Sequence, residues 1–382
     1  MTTHTAYIGA RLFDGDTWHD DAALVVRDGV IDSIGAVPDG STIVQVHGGA
    51  LAPGFIDLQV NGGGGHLIGA GTTVADLANV CAVHAGFGAT SILPTLITDI
   101  DPVTDAVLVA GAEAAKRSVP GFLGLHLEGP HLSVARKGAH DPNYIRPMTE
   151  SDLVRYENAR RLLPHLLLTV AAETVTPEQI ARLVAAGIVV SIGHSDASYD
   201  VATAAFRAGA SMATHLFNAM SQIGNRNPGL VGAVLDHPGV NAGLIADGIH
   251  VHPAAVRIAL AASKGRIFLV SDSMSQAGSD LESFTLNGRT IHRRDGALRL
   301  ADGNLAGADL TIDRAVAGIA AMGIDSDEAL RMATAFAADA IGAPTLGRLR
   351  PGHRADFVRL IEGRVTNTWI GGVEVFSGDL PH

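Results

Sequence analysis

What most constrains this chain is a repeated alternation, between residues 51 and 321, of short apolar runs with amphipathic, alanine-rich stretches. Eight runs read as strands: Leu51 to Val60, Ala89 to Leu96, Gly121 to Glu128, Leu166 to Glu173, Gly187 to His194, Ser211 to His215, Val240 to Asp247 and Arg266 to Asp272. Helical stretches such as Val74 to Ala85, Val103 to Ala115, Pro177 to Ala186, Tyr199 to Ala208 and Pro253 to Ser263 fill most gaps, as parallel strands require. An α/β fold of the (β/α)8 TIM-barrel type suits eight such units better than an open doubly wound sheet. Periodicity alone leaves the open sheet as an alternative, because the sixth connection, Pro228 to His237, is a weak helix. After Asp272 the pattern breaks into hairpin-like segments, and a helix resumes over Leu310 to Ala321.

The two ends differ from the middle. Thr5 to Ile8, Ala23 to Arg27, Val30 to Ile34 and Thr42 to Val46 read as strands, as do Phe357 to Leu360, Val365 to Ile370 and Val373 to Phe376. These imply a small β-sandwich assembled from both termini, with residues 1–50 and 346–382 flanking a barrel over 51–345. A formal charge of −12 sets the chain's field against nucleic acid and anionic membrane surfaces. No stretch is apolar enough to span a bilayer. The lone Cys81 excludes an internal disulfide or a cysteine-based zinc site and suits a cytoplasmic protein.

Polar residues gather where the strands end. Gln59, Asn61, Thr95, Glu128, Glu173, His194, His215, Asp247 and Asp272 lie at or just past those ends, which in a barrel converge on the catalytic mouth. Taken singly, each is an ordinary hydrogen-bonded strand terminus. Taken together, Glu128, His194 and His215 form a three-ligand set for one divalent metal, with a coordination position left for water. Asp272 is then the acid/base group of metal-assisted hydrolysis. Gly62 to Gly65 lacks the lysine and hydroxyl of a P-loop and reads as a loop for close backbone approach. Near His215, Asn218, the Ala219 backbone and Arg226 could hold a phosphate or carboxylate.

The segments LAPGFIDLQVNGGGG, GLHLEGPHLS, KGAHDPN, VSIGHSDA, ATHLFNAM, GLIADGIHVHP, LVSDSM and LGRLRPGHRADFV run through nearly the whole chain. Together they resemble the N-acetylglucosamine-6-phosphate deacetylases of the amidohydrolase superfamily. The resemblance implies Glu128, His194 and His215 as metal ligands and Asp272 as acid/base. It implies His140 as the group that polarises the acetamide carbonyl and Ala139 as a sugar contact. Asn218, Ala219, Arg226 and His250 would bind the sugar phosphate, some across a homodimer interface. The implied metal is one zinc, iron, cobalt or manganese ion per subunit, and a second, weaker ion is left open.

Many amidohydrolases carry His-x-His after the first strand, where this chain has Gln59-Val60-Asn61. That favours one ion. His66 and His131 read first as lid or core residues, and only second as helpers of a second ion. The cyclic-amide hydrolases of the superfamily use a carboxylated lysine at the fourth strand, but the only lysines here are Lys116, Lys137 and Lys264, none at a strand end. The expected reaction is therefore hydrolysis of an amino-sugar phosphate acetamide. Deacetylation of another anionic N-acetylated small molecule is the alternative, and an inactive scaffold is a weaker one because all four central residues are present.

Overall fold

The computed structural model describes residues 4–378; residues 1–3 and 379–382, the outer ends of the two expected terminal segments, lie outside it. Its centre is a parallel barrel of strands β1 (Phe55–Val60), β2 (Ala89–Ile97), β3 (Leu125–Glu128), β4 (Leu166–Val170), β5 (Val189–Ile192), β6 (Met212–Ala213), β7 (Asn241–Leu244) and β8 (Ile267–Leu269), each hydrogen-bonded to the next. The barrel closes where the chain beyond β8 returns to β1 through a parallel bridge between Val60 and Ser273, with Asp272 N donating to Gln59 O at 3.0 Å and Asn61 N to Ser273 O at 2.8 Å. The closed barrel excludes the open sheet.

Helices α1 (Val74–Ala85), α2 (Asp101–Lys116), α3 (Glu150–Arg160), α4 (Pro177–Ala185), α5 (Tyr199–Arg207), α6 (Gly229–Asp236) and α7 (Pro253–Ser263) fill the first seven connections. Their starts are chemically marked. Thr73 and Asp76 form a capping box on α1, and Thr176 with Gln179 does the same on α4, where Pro177 supplies a preset first turn. The weak sixth connection does form α6, because Leu230, Val231, Ala233 and Val234 are buried against the barrel. Tertiary burial, not propensity, decides it. Helices α8 (Ile312–Ala321), α9 (Ser326–Ala333) and α10 (Ala335–Ile341) complete the ring.

One expected strand proves to be two. Within Leu51 to Val60, the segment Ala50–Pro53 pairs antiparallel with Phe357–Ile361 in a six-stranded terminal sheet, and only Phe55–Val60 enters the barrel. The break is at Gly54, where any β-carbon would lie 2.2 Å from the Thr90 side chain. That six-stranded sheet also contains Arg11–Phe13 and Trp18–His19, strands too short for periodicity to reveal. A four-stranded sheet of Val30–Gly35, Ala23–Arg27, Thr5–Ile8 and Thr42–Gln45 faces it across a core that includes Tyr7, Leu24, Ile31, Leu51, Phe357 and Trp369. Phe357 stacks on Trp369 with ring centroids 4.7 Å apart, and Tyr7 meets Phe357 edge-on at 4.9 Å.

The hairpin-like region after β8 is a three-stranded antiparallel sheet, Ser283–Leu286, Arg289–Arg294 and Ala297–Arg299. Its small core of Met274, Leu286, Ile291, Leu298, Leu300 and Ala306 packs against Leu67, Ile97 and Ala139, so it roofs one side of the barrel mouth.

Asp57 sits at the seam between β1 and β8, fully buried, and accepts the backbone N–H groups of Gln59 and Ser271 at 3.2 Å. Burial pushes its carboxyl up from 3.8 to about 7. Because the folded value lies above the unfolded one, Asp57's contribution to stability is complete below about pH 4 and is lost as pH rises through 7. Asp57→Asn should therefore flatten the fall in thermal midpoint between about pH 4 and 7. An unchanged slope in parallel melts of the two proteins would exclude Asp57 as its source.

Candidate active site and metal centre

The strand ends hold the site through turns that few residues adopt readily. His194, His215 and Asp272 lie two, two and three residues past β5, β6 and β8, with φ of 46°, 31° and 49°. Left-handed backbone costs a non-glycine residue about 1–2 kcal/mol. Here it turns three polar side chains inward at the mouth, a placement that accounts for the strain. Glu128 reaches the same point as the last residue of β3.

All five central side chains are buried: Glu128, His140, His194, His215 and Asp272 are between 3% and 8% exposed. Glu128 Oε1 lies 3.2 Å from His194 Nε2 and 3.1 Å from His215 Nε2, and the two Nε2 atoms are 3.1 Å apart. Three ligand atoms converge on one point. His194 Nδ1 meets the Arg136 carbonyl at 2.8 Å, so that nitrogen carries the proton and Nε2 offers a lone pair. His215 Nδ1 is buried without a partner. A carboxylate and two imidazoles so arranged can hold a divalent metal.

Asp272 stands beside this cluster rather than in it. Its Oδ1 accepts the Asn61 amide at 2.7 Å and the Gln59 amide at 3.2 Å, and the same Gln59 nitrogen donates to Glu128 Oε1 at 3.2 Å. Burial raises the Asp272 carboxyl to about 6, the Glu128 charge adds to this, and the Asn61 hydrogen bond opposes it. The Gln59 amide thus bridges the two carboxylates, while the Asn61 amide holds Asp272 alone.

His140 enters from the loop after β3. Its Nδ1 receives the Thr98 backbone N–H at 3.3 Å and lies 2.8 Å from the Thr98 hydroxyl, which puts the proton of the neutral ring on Nε2, 3.9 Å from Glu128 Oε2. Burial, reinforced by the neighbouring His194, pulls its pKa down to about 3, so the ring stays neutral. Arg289 of the roofing sheet donates to the carbonyl of Ala139, tying that sheet to the His140 loop.

Glu128, Ala139, His140, His194, His215, Asn218, Ala219, His250 and Asp272 all line one open cavity of about 170 Å³. Leu286, Leu305 and Met274 form apolar wall. Asn218 Nδ2 donates to the carbonyls of His215 and Leu216 at 3.3 Å, bracing the turn that carries the second imidazole. Arg226 is different: it stands on an exposed loop and does not line the cavity.

Other polar strand ends serve elsewhere. Glu173 is exposed and accepts Ser195 Oγ at 2.5 Å and Asp196 N at 2.7 Å, bracing the turn after His194. His131 is buried between the Arg146 carbonyl and the Tyr156 hydroxyl, 3.0 Å from each, and is a core residue. His66 is exposed and pairs with Asp76 at 3.2 Å. Neither lines the cavity. Sequence reasoning assigned no role to Thr98 or Asp247 and none beyond a missing motif to Gln59 and Asn61. The alternation Gln59-Val60-Asn61, which turns both amides to the barrel interior, was the signal available for the last two.

A closed barrel with two imidazoles and a carboxylate at its C-terminal mouth defines the class of metal-assisted hydrolases. Residues 50–375 match the amidohydrolase family. The chain is 39% identical to an N-acetylgalactosamine-6-phosphate deacetylase of Shewanella sp. (strain ANA-3), covering 97% of this chain and 96% of that one. It is 38% identical to an N-acetylglucosamine-6-phosphate deacetylase of Haemophilus influenzae, covering 88% and 90%. Its backbone superposes on the crystal structure of N-acetylglucosamine-6-phosphate deacetylase from Pasteurella multocida with a TM-score of 0.94 at 35% identity, over 97% and 99% of the two chains. The chain belongs to the amidohydrolase family. Among the described residues no helix is long and apolar enough to cross a membrane.

Proposed function

We propose that this enzyme hydrolyses the acetamide of N-acetylglucosamine 6-phosphate, releasing acetate and glucosamine 6-phosphate. The observation that carries the reading is the meeting in one cavity of the Glu128/His194/His215 cluster, a separate buried carboxylate at Asp272 and a neutral imidazole donor at His140. The names of the relatives supply the substrate.

A divalent ion held by Glu128, His194 and His215 would supply Lewis-acid polarisation of the acetyl carbonyl and lower the pKa of water. Zinc, iron, cobalt and manganese all suit such a donor set. We read one ion per subunit, because Gln59 and Asn61 present amide hydrogens to the neighbouring carboxylates instead of ligand nitrogens.

The remaining steps belong to the chain. Asp272, with Oδ1 engaged by the two amides, takes a proton from the attacking water. His140 Nε2–H donates to the carbonyl oxygen as it gains negative charge. Asp272 then returns its proton to the sugar nitrogen as the C–N bond breaks, so the water's hydroxyl ends on acetate and its proton on the amine. Ala139 contacts the sugar. Asn218, Ala219 and His250 lie on the side of the site that takes the phosphate. Arg226, exposed outside its own cavity, is suited to reach the phosphate of a second copy in a homodimer. The single buried Cys81 fits a reducing, cytoplasmic setting.

Acetate release from metal-reconstituted protein should favour N-acetylglucosamine 6-phosphate over unphosphorylated N-acetylglucosamine by about a hundredfold in kcat/KM, since charge-assisted hydrogen bonds to the phosphate are lost. Equal rates would remove the phosphate site and keep the deacetylase; no acetate from either sugar would remove both. N-acetylgalactosamine 6-phosphate in the same assay reads the preference between epimers.

A further inference from the structure

Asp247 follows β7 and has no place in the hydrolytic steps, yet its side chain is only 5% exposed and fully engaged. Oδ1 accepts the backbone N–H groups of Ile249 and His250, each at 2.8 Å, and Oδ2 lies 2.6 Å from His250 Nδ1. One carboxylate therefore shapes the turn and fixes the ring that the turn carries. The ring is itself 6% exposed and lines the cavity.

The geometry points to Asp247 as a positioning residue that holds His250 as a cationic donor, with Nε2–H presented to the anionic group of the substrate. A carboxylate at Nδ1 secures the proton on that nitrogen. A neutral ring so protonated would turn the lone pair of Nε2 toward the cavity and repel a phosphate oxygen. A ring that carries both protons, set between the Asp247 carboxylate and a bound phosphate, serves each anion with one charge-assisted N–H. The inference rests on the proposed phosphate reading of the site.

The test is Asp247→Asn, alone and combined with His250→Ala. Asparagine keeps Oδ1 for the two backbone N–H groups while removing the charge that faces the ring, so the turn has the means to form; equal thermal midpoints check that it does. With N-acetylglucosamine 6-phosphate, Asp247→Asn should raise KM at least about tenfold and change kcat by less than about threefold. It should leave kcat/KM for unphosphorylated N-acetylglucosamine unaltered. In the His250→Ala background it should add nothing, because its only route to the substrate is gone. Additive effects, or an equal loss on both sugars, would overturn the proposal. A wild-type enzyme that prefers the phosphorylated sugar while Asp247→Asn leaves KM unmoved would overturn it too, with the phosphate reading intact. A wild type indifferent to the phosphate would overturn that reading and this inference with it.

Discussion

Asp272→Asn should retain its metal and its substrate affinity and lose kcat by about a thousandfold or more. Asparagine matches aspartate in shape and keeps an oxygen for the Asn61 amide, 2.7 Å away, so the cavity should be preserved. What disappears is the capacity to accept a proton from water and to pass it to the departing amine. Metal content by plasma emission and binding of the sugar phosphate by calorimetry separate this loss from a structural one. A kcat within about tenfold of wild type would remove Asp272 from the proton-transfer role.

His194→Ala should behave differently, because it takes away one of three convergent ligand atoms. The variant should retain less than about a tenth of the wild-type metal after dialysis, and its activity should fall in proportion. Relief of the left-handed backbone at residue 194 is small beside this, and alanine at φ 46° carries much the same strain. Full metal content in the variant would show that Glu128 and His215 hold the ion without it. Measured together, the two variants separate the metal-binding cluster from the proton-transfer group beside it.

The barrel and its catalytic mouth were legible because both follow from period. Strands of alternating or continuous apolar residues announce themselves, and their polar final residues must converge once the strands are parallel. The meeting of Glu128, His194, His215 and Asp272 in one cavity follows from their places at strand ends alone. The break at Gly54 was not legible, since it depends on Thr90, a residue of the next strand that sequence proximity does not reveal. Thr98 was missed for the same reason: its value lies in meeting His140, 42 residues away in the chain. Asn61 and Gln59 were seen only as an absent histidine pair. Their positive role, donation to two acids from different strands, exists only in the closed barrel. Arg226, read by nearness to His215 and by the family likeness as a phosphate contact, stands on an exposed loop outside this chain's own cavity.

The pairing of Ala50–Pro53 with Phe357–Ile361 has a consequence for how the protein is made. A ribosome extends a chain at about 5–20 residues per second, so the roughly 300 residues between these strands take on the order of 15 to 60 seconds to appear. Through that interval the first strands wait with an open edge and an uncovered apolar face, the form in which nascent chains seek wrong partners. Termination between Ile341 and Phe357 would release a barrel whose terminal sheet can never be completed. For this chain, the risk of misassembly during synthesis is concentrated at its beginning, and relief comes only at its end.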